Sequence, residues 1–121
     1  MKQTATIPYS WDDNMWGVTG EGGEIENPAL VPPLEKILQV CIVPWKAKSK
    51  PDQIKLEFVR GIPVALNGKR MKLADLIIKL NKVAAAHAVG FTHHIEDRIV
   101  GLKVRGVYEA PAAETIIQAH Q

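Results

Sequence analysis

Apolar and polar positions change period several times along the chain, and each period predicts a different element. Residues 54–58 alternate between apolar and mostly polar side chains, which is typical of a half-buried strand, and residues 62–66 repeat the pattern. Asn67 and Gly68 follow, a pair that readily supplies the two positive φ angles of a tight hairpin turn. The pattern therefore predicts an antiparallel meander over residues 53–71.

A helical period comes next, because apolar side chains recur at steps of three and four residues. The positions are Leu73, Leu76, Ile77, Leu80, Val83, Ala84 and His87. We predict one main amphipathic helix over about residues 72–88, with Gly90 placed to end it. Residues 95–108 have the composition of a single extended segment. Pro111 is well placed near the start of a last helix over residues 112–120.

The first third of the chain has no clear period. Residues 1–35 are rich in turn formers and predict a long N-terminal loop region, in which Ser10 and Asp13 would cap one short helical turn. The β-branched run at residues 37–43 predicts a buried strand. The whole pattern indicates an α+β fold with a mostly antiparallel sheet, in a single domain over residues 1–121.

Composition narrows the classes of protein further. The chain has 121 residues, 46% of them hydrophobic and 23% charged, which fits one globular domain. The net charge is only +2 and no basic cluster is present, so we expect no nucleic-acid partner. No apolar run approaches the ~20 residues of a membrane span. No secretory signal is visible, and Cys41 is the only cysteine, which together suit a cytoplasmic location.

Single residues give weak chemical signals. His93 and His94 would point to opposite faces of a strand and chelate poorly, so a polar loop is favoured over a metal site. The glycine-rich residues 20–23 indicate a turn more than an anion-binding nest. Thr19 by itself is typical of a turn. Tyr108 by itself is typical of a ring at the edge of the core.

Glu96 has two charged neighbours in sequence, Asp97 and Arg98. A surface salt bridge among these three side chains is the simplest interpretation, and it would stabilise the fold by less than about 1 kcal/mol. The alternative is that Glu96 is a lone carboxylate facing an amine ligand.

Taken together, several stretches of the chain resemble one enzyme family. Residues 9–17 read Tyr-Ser-Trp-Asp-Asp-Asn-Met-Trp-Gly, against Tyr-Ser-x-Asp-Glu-Asn-Leu-Trp-Gly in that family. The other matching stretches are residues 21–28, 61–68, 80–84 and 100–111. Their order and spacing hold over nearly the whole chain, which therefore resembles argininosuccinate synthase, and within it the body of the second, synthetase domain.

Enzymes of that family join citrulline to aspartate, consuming ATP and releasing AMP and pyrophosphate. The resemblance implies four citrulline-binding residues here, Ser10, Thr19, Glu96 and Tyr108, and no catalytic residue. Thr19 stands where the family has serine and keeps the hydroxyl. Citrulline has an ammonium group that needs oxygen acceptors, and carboxylate and ureido groups that need donors. One carboxylate and three hydroxyls offer that mixture.

The resemblance also implies parts that this sequence does not contain. In the family, ATP with Mg is bound by an N-terminal domain through a Ser-Gly-Gly-x-Asp-Thr-Ser loop, and a C-terminal helical tail builds the tetramer. We therefore expect no cofactor on this chain, no ligase activity from it alone, a possible separate ATP-binding partner, and self-association. The alternative is a stand-alone, non-catalytic binding or regulatory module derived from that domain.

The chain departs from the family near Glu96. The family's His-Gly-Val-Gly-Arg-x-Asp is altered in residues 87–94, where Ala88 stands in place of glycine. Asp97 stands in place of asparagine and adds a second carboxylate beside Glu96 in sequence. That carboxylate would weaken a contact between Glu96 and a ligand, unless the change is neutral drift.

Overall fold

The computed structural model describes residues 8–121, which form seven strands and three helices in the predicted α+β fold. Residues 1–7 of the predicted N-terminal loop lie outside the described residues. The strands are β1 (Tyr9–Asp13), β2 (Val18–Gly22), β3 (Leu56–Val59), β4 (Ile62–Leu66), β5 (Lys69–Arg70), β6 (Phe91–Asp97) and β7 (Lys103–Glu109). The helices are α1 (Leu34–Ile37), α2 (Leu73–Ala86) and α3 (Pro111–His120).

The strands form two antiparallel sheets. The first has four strands in the order β1-β2-β7-β6, and the second has three in the order β3-β4-β5. The predicted meander is the second sheet. Asn67 and Gly68 have φ angles of 51° and 80°, as the tight turn requires.

Helices α2 and α3 pack on the three-stranded sheet and confirm both helix predictions. The buried core between them consists of Leu66, Leu76, Ile77, Leu80, Ala112 and Ile116. The Asn81 amide oxygen accepts the backbone N–H of Ala112 at 2.8 Å, which fixes the start of α3 against α2. No helix within residues 8–121 is both long and apolar enough to cross a membrane.

The four-stranded sheet buries one of its faces. That face packs against the 3-10 turn Gly23–Glu26 and helix α1. The core there consists of Tyr9, Ile25, Ile37 and Val107. The indole N–H of Trp11 donates to the carbonyl of Ile37 at 2.8 Å and anchors α1 to the sheet. Side chains of the other face, which include Ser10, Thr19, Glu96 and Tyr108, are not part of this core.

The predicted N-terminal loop contains a β-hairpin, so that part of the prediction was wrong. Ser10 lies in β1 and caps no helix, and Thr19 lies in β2 instead of a turn. The side-chain oxygen of Asn14 accepts the backbone N–H groups of Trp16 and Gly17 at 2.7 and 3.1 Å. These bonds close the connection between β1 and β2, an Asx-type turn that stabilises the hairpin locally.

The predicted strand at residues 37–43 is also wrong, because a carboxylate satisfies the backbone there. The side chain of Glu109 is 2% exposed and accepts the N–H groups of Gln39, Val40 and Cys41 at 2.7–2.9 Å. The segment is irregular but well bonded. Burial, reinforced by Glu109, raises the pKa of the Cys41 thiol to about 12.

The extended segment predicted over residues 95–108 is a hairpin instead of one strand. Strands β6 and β7 pair along their full length, from Phe91 opposite Glu109 to Asp97 opposite Lys103. The chain reverses at Arg98, whose carbonyl accepts the N–H of Gly101 at 2.8 Å. The histidine pair therefore lies in β6 and not in a polar loop.

Candidate ligand-binding site

The four side chains expected to bind citrulline project from one face of the four-stranded sheet. Thr19 in β2 is directly opposite Tyr108 in β7, and cross-strand partners share a face. Ser10 is paired with Glu21, two positions from Thr19, and side chains two positions apart also share a face. Thr92 in β6 is the cross-strand partner of Tyr108 and therefore lies on the same face. Glu96 is four positions further along β6, so its side chain also projects from this face.

Two of the four are in direct contact. The Tyr108 hydroxyl donates to the Glu96 carboxylate at 2.6 Å. This bond, together with partial burial, raises the pKa of Tyr108 to about 12. The hydroxyl therefore stays protonated at neutral pH and orients the Glu96 carboxylate through one of its oxygens.

The Tyr108 ring takes its position because Gly106 has no side chain. A Cβ at Gly106 would lie 3.0 Å from the Tyr108 hydroxyl oxygen and 3.1 Å from Cζ, so the ring lies back along β7 over this residue. The His94 ring flanks it on the other strand, with ring centroids 5.6 Å apart. A side chain at this position would have to displace the Tyr108 ring by a few tenths of an ångström.

A cleft of about 240 Å³ opens beside Tyr108 at the end of the hairpin β1–β2. Thr19 and Tyr108 line it, together with Asp12 and Trp16. Ser10 and Glu96 do not: Ser10 is 5% exposed, the least accessible of the four, and Glu96 lies on the far side of Tyr108. Tyr108 is therefore the residue shared by both halves of the site.

Asp97 does not add its charge to this face. Because it follows Glu96 in a strand, its side chain points to the opposite face. It forms an ion pair with Lys103 at 2.9 Å, in solvent. The departure from asparagine at this position therefore leaves the surroundings of Glu96 unchanged in charge.

Arg98 and Glu21 form an ion pair on the sheet face that carries the four candidate residues, which we call the ligand face. The sequence analysis did not predict this pair. An Arg98 Nη2 atom lies 2.6 Å from a carboxylate oxygen of Glu21, a residue 77 positions away. The sequence holds one signal for it: Glu21 is two positions after Thr19, so in a strand both side chains lie on the same face. It becomes informative only once residues 9–22 are recognised as a hairpin.

A second pocket lies outside this face. It is about 310 Å³, is mostly apolar, and is bordered by Asp52, His87 and Thr115. His87 Nε2 lies 2.8 Å from an Asp52 oxygen, and the hydrogen bonds from His87 and Lys48 lower the pKa of Asp52. The Thr115 hydroxyl donates to the Pro111 carbonyl at 2.8 Å, within the first turn of α3.

Metal ligands are not grouped in the described part of the chain. Within residues 8–121, no three His, Cys, Asp or Glu side chains are arranged to hold a metal ion. His93 and His94 project from opposite faces of β6, as the alternation of a strand requires.

Comparison with known proteins identifies the family. The model of the arginosuccinate synthase C-terminal domain matches residues 9–121. Argininosuccinate synthase of Pyrococcus furiosus is 51% identical over 113 residues, which cover 93% of this chain and 27% of the relative. The enzymes of Chlorobium chlorochromatii and Archaeoglobus fulgidus are 46% and 47% identical over 118 residues each, which cover 98% of this chain. These matches cover 29% and 30% of the two relatives.

The chain therefore belongs to the argininosuccinate synthase family and corresponds to its C-terminal domain. It spans between a quarter and a third of the length of the curated relatives that it matches.

Proposed function

We propose that this chain is the citrulline-positioning portion of an argininosuccinate synthase, the ATP-dependent ligase that joins citrulline and aspartate in arginine biosynthesis. The observation that carries the proposal is that Ser10, Thr19, Glu96 and Tyr108, from four different strands, share one sheet face. On that face Tyr108 donates to Glu96 and lines a cleft together with Thr19.

The chemistry of the four groups suits a zwitterionic amino acid. The Glu96 carboxylate would accept from the α-ammonium of citrulline, and the bond from Tyr108 would hold that carboxylate in place. Hydroxyls at Thr19 and Ser10 can both donate and accept, as the ligand's carboxylate and ureido groups require. None of these groups would act as nucleophile or base. Their contribution would be to orient the substrate.

The rest of the reaction would need groups from elsewhere in the enzyme. In the complete ligase the ureido oxygen of citrulline would attack the α-phosphate of ATP and release pyrophosphate. The aspartate amine would then displace AMP. ATP with its Mg ion would be bound by the ATP-binding domain, on the same polypeptide or on a separate partner. This chain alone would form no argininosuccinate.

Calorimetric titration of L-citrulline tests the proposal. We expect saturable heat with the wild-type chain and at least a tenfold weaker affinity for Glu96→Gln, because a charge-assisted hydrogen bond is worth about 1.5–3 kcal/mol. Asp97→Asn is the matched control: it removes a carboxylate from the next position, on the opposite face, and should bind normally.

Absence of heat with the wild-type chain would contradict the proposed site, and equal affinities for the wild-type chain and Glu96→Gln would remove Glu96 from it. The ligase assignment has its own test. Argininosuccinate synthesis should return when a polypeptide carrying the ATP-binding domain is added. A chain that binds citrulline but never restores synthesis would instead fit a stand-alone, non-catalytic module.

A further inference from the structure

The ion pair between Arg98 and Glu21 crosses the ligand face. It joins the turn after β6 to strand β2, and β7 with Tyr108 lies between the two. Both side chains are partly shielded from water, with exposures of 41% for Arg98 and 29% for Glu21. Both charges reach the Tyr108 hydroxyl, because Arg98 lowers and Glu21 raises the pKa of that group.

The backbone holds Arg98 in a fixed position. Its N–H donates to the carbonyl of Leu102 at 3.1 Å, and its carbonyl accepts the N–H of Gly101 at 2.8 Å. From this turn the guanidinium reaches the Glu21 carboxylate on the sheet face that carries Glu96. The pair therefore links the turn between β6 and β7 to strand β2.

The pair determines the charge beside Tyr108. Glu96 receives its hydrogen bond from a neutral hydroxyl, and its charge also acts on the Arg98 guanidinium, whose pKa is raised first by Glu21 and to a lesser extent by Glu96. Glu21 is compensated by Arg98, and the remaining carboxylate of this face, Asp12, lies on the edge strand β1 and is exposed. The charges of Glu96, Glu21 and Arg98 therefore sum to one negative charge beside Tyr108, which matches a ligand with one ammonium group.

We propose that Arg98, by neutralising Glu21, is a specificity-determining residue. It makes the site select an amino acid whose side chain ends in a neutral ureido group over the analogue that ends in a cationic guanidinium. Citrulline and arginine are that pair of ligands. The inference rests on the proposed citrulline site and adds its discrimination of charge.

Removing Arg98 should change selectivity more than fold. In Arg98→Gln the freed Glu21 carboxylate lies about two strand spacings, or ~10 Å, from β6. At that separation, the extra negative charge should raise the affinity for a cationic ligand by about three- to tenfold in a partly solvated site. We expect the ratio of the arginine Kd to the citrulline Kd to fall by that factor, as measured by calorimetry on the full chain.

Three variants distinguish a charge effect from a structural one. Arg98→Lys retains the cation and should restore the wild-type ratio. The double variant Glu21→Gln/Arg98→Gln removes the freed charge and should also restore it, although the ion pair is still missing. Lys103→Gln frees Asp97 on the opposite face and should leave the ratio within about twofold of wild type.

The outcomes separate this inference from the proposed function. If the wild-type chain binds no citrulline, both fail. If it binds citrulline but Arg98→Gln weakens the two ligands equally or leaves the ratio unchanged, only the inference fails. A double variant with the same ratio as Arg98→Gln would equally overturn it, because the effect would then not come from the charge of Glu21.

Discussion

At the scale of single residues, Tyr108 connects the two halves of the candidate site. It donates to Glu96 on one side and lines the cleft with Thr19 on the other. Its ring lies over Gly106, where an added Cβ would lie 3.0–3.1 Å from ring and hydroxyl atoms. In the proposed site, the orientation of Glu96 therefore depends on Tyr108.

The hydrogen bond from Tyr108 to Glu96 predicts an unusual tyrosine titration. Tyr9 and Tyr108 both have pKa values raised to about 12, the first chiefly by burial and the second chiefly by its bond to Glu96. In Glu96→Gln we expect one tyrosine to ionise closer to pH 10, while Tyr9 remains high as an internal reference. Near-ultraviolet absorbance during alkaline titration measures both.

The raised pKa of Tyr108 also determines how its contribution to folding stability depends on pH. Because the folded-state pKa is above the unfolded value, the contribution of Tyr108 to stability is fully present below about pH 10 and is lost as the pH rises toward 12. A Glu96→Gln variant whose two tyrosines both still titrate near 12 would contradict the assigned cause.

At the scale of elements, the end of α2 has a non-glycine residue in a conformation that favours glycine. The N–H of Val89 donates to the Ala84 carbonyl and that of Ala88 to the Ala85 carbonyl, at 3.0 and 3.1 Å, which is the Schellman pattern. Ala88 occupies the left-handed position with φ 56°. Glycine adopts this conformation freely, whereas alanine is strained in it.

Ala88→Gly should therefore stabilise the chain. Relief of the left-handed strain outweighs the larger entropy of glycine in the unfolded chain, and we expect a gain of about 0.5–1 kcal/mol in the free energy of unfolding. Urea denaturation measures it. Ala86→Gly, at the last residue of α2, is the control and should lose about 0.5–1 kcal/mol. A loss in both variants would contradict the strain at Ala88.

Elements with a strong local period could be predicted from the sequence, and elements held by distant groups could not. The meander, α2 and α3 follow from alternation, helical spacing and turn residues close to one another in the chain. The hairpin β1–β2 was missed because glycine and aspartate, which have low strand propensity, fill much of both strands. The segment at 37–43 was missed because its N–H groups bond to Glu109, about 70 positions away.

At the scale of the whole molecule, the hairpin β6–β7 presents an apolar tip. Ile99, Val100 and Leu102 have exposures of 107%, 78% and 67%. Clusters of this kind are typical of surfaces that are covered by another domain or subunit. Within residues 8–121, β6 is also an edge strand of its sheet, a position that favours pairing with another chain.

We therefore predict that the chain self-associates through this tip. Sedimentation velocity should give a weight-average mass that rises with concentration for the wild-type chain. Replacement of Ile99, Val100 and Leu102 by serine should return the mass to that of one chain. Val31→Ser, an equally exposed apolar residue in a different loop, should have no effect. A constant monomer mass for the wild-type chain would refute the prediction.

The sequence by itself determined the features that depend on near neighbours or on a long ordered pattern. These are the second sheet, the two longer helices and the family; the four candidate ligand-binding residues followed from the resemblance to that family and stay a prediction. Only the tertiary structure decided which charges compensate one another. Glu96, Asp97 and Arg98 are adjacent in the chain, yet each has a different partner: Tyr108, Lys103 and Glu21. The physical reason is that strand alternation sends neighbouring side chains to opposite faces, while sheet pairing brings side chains about 77 positions apart to within hydrogen-bonding distance.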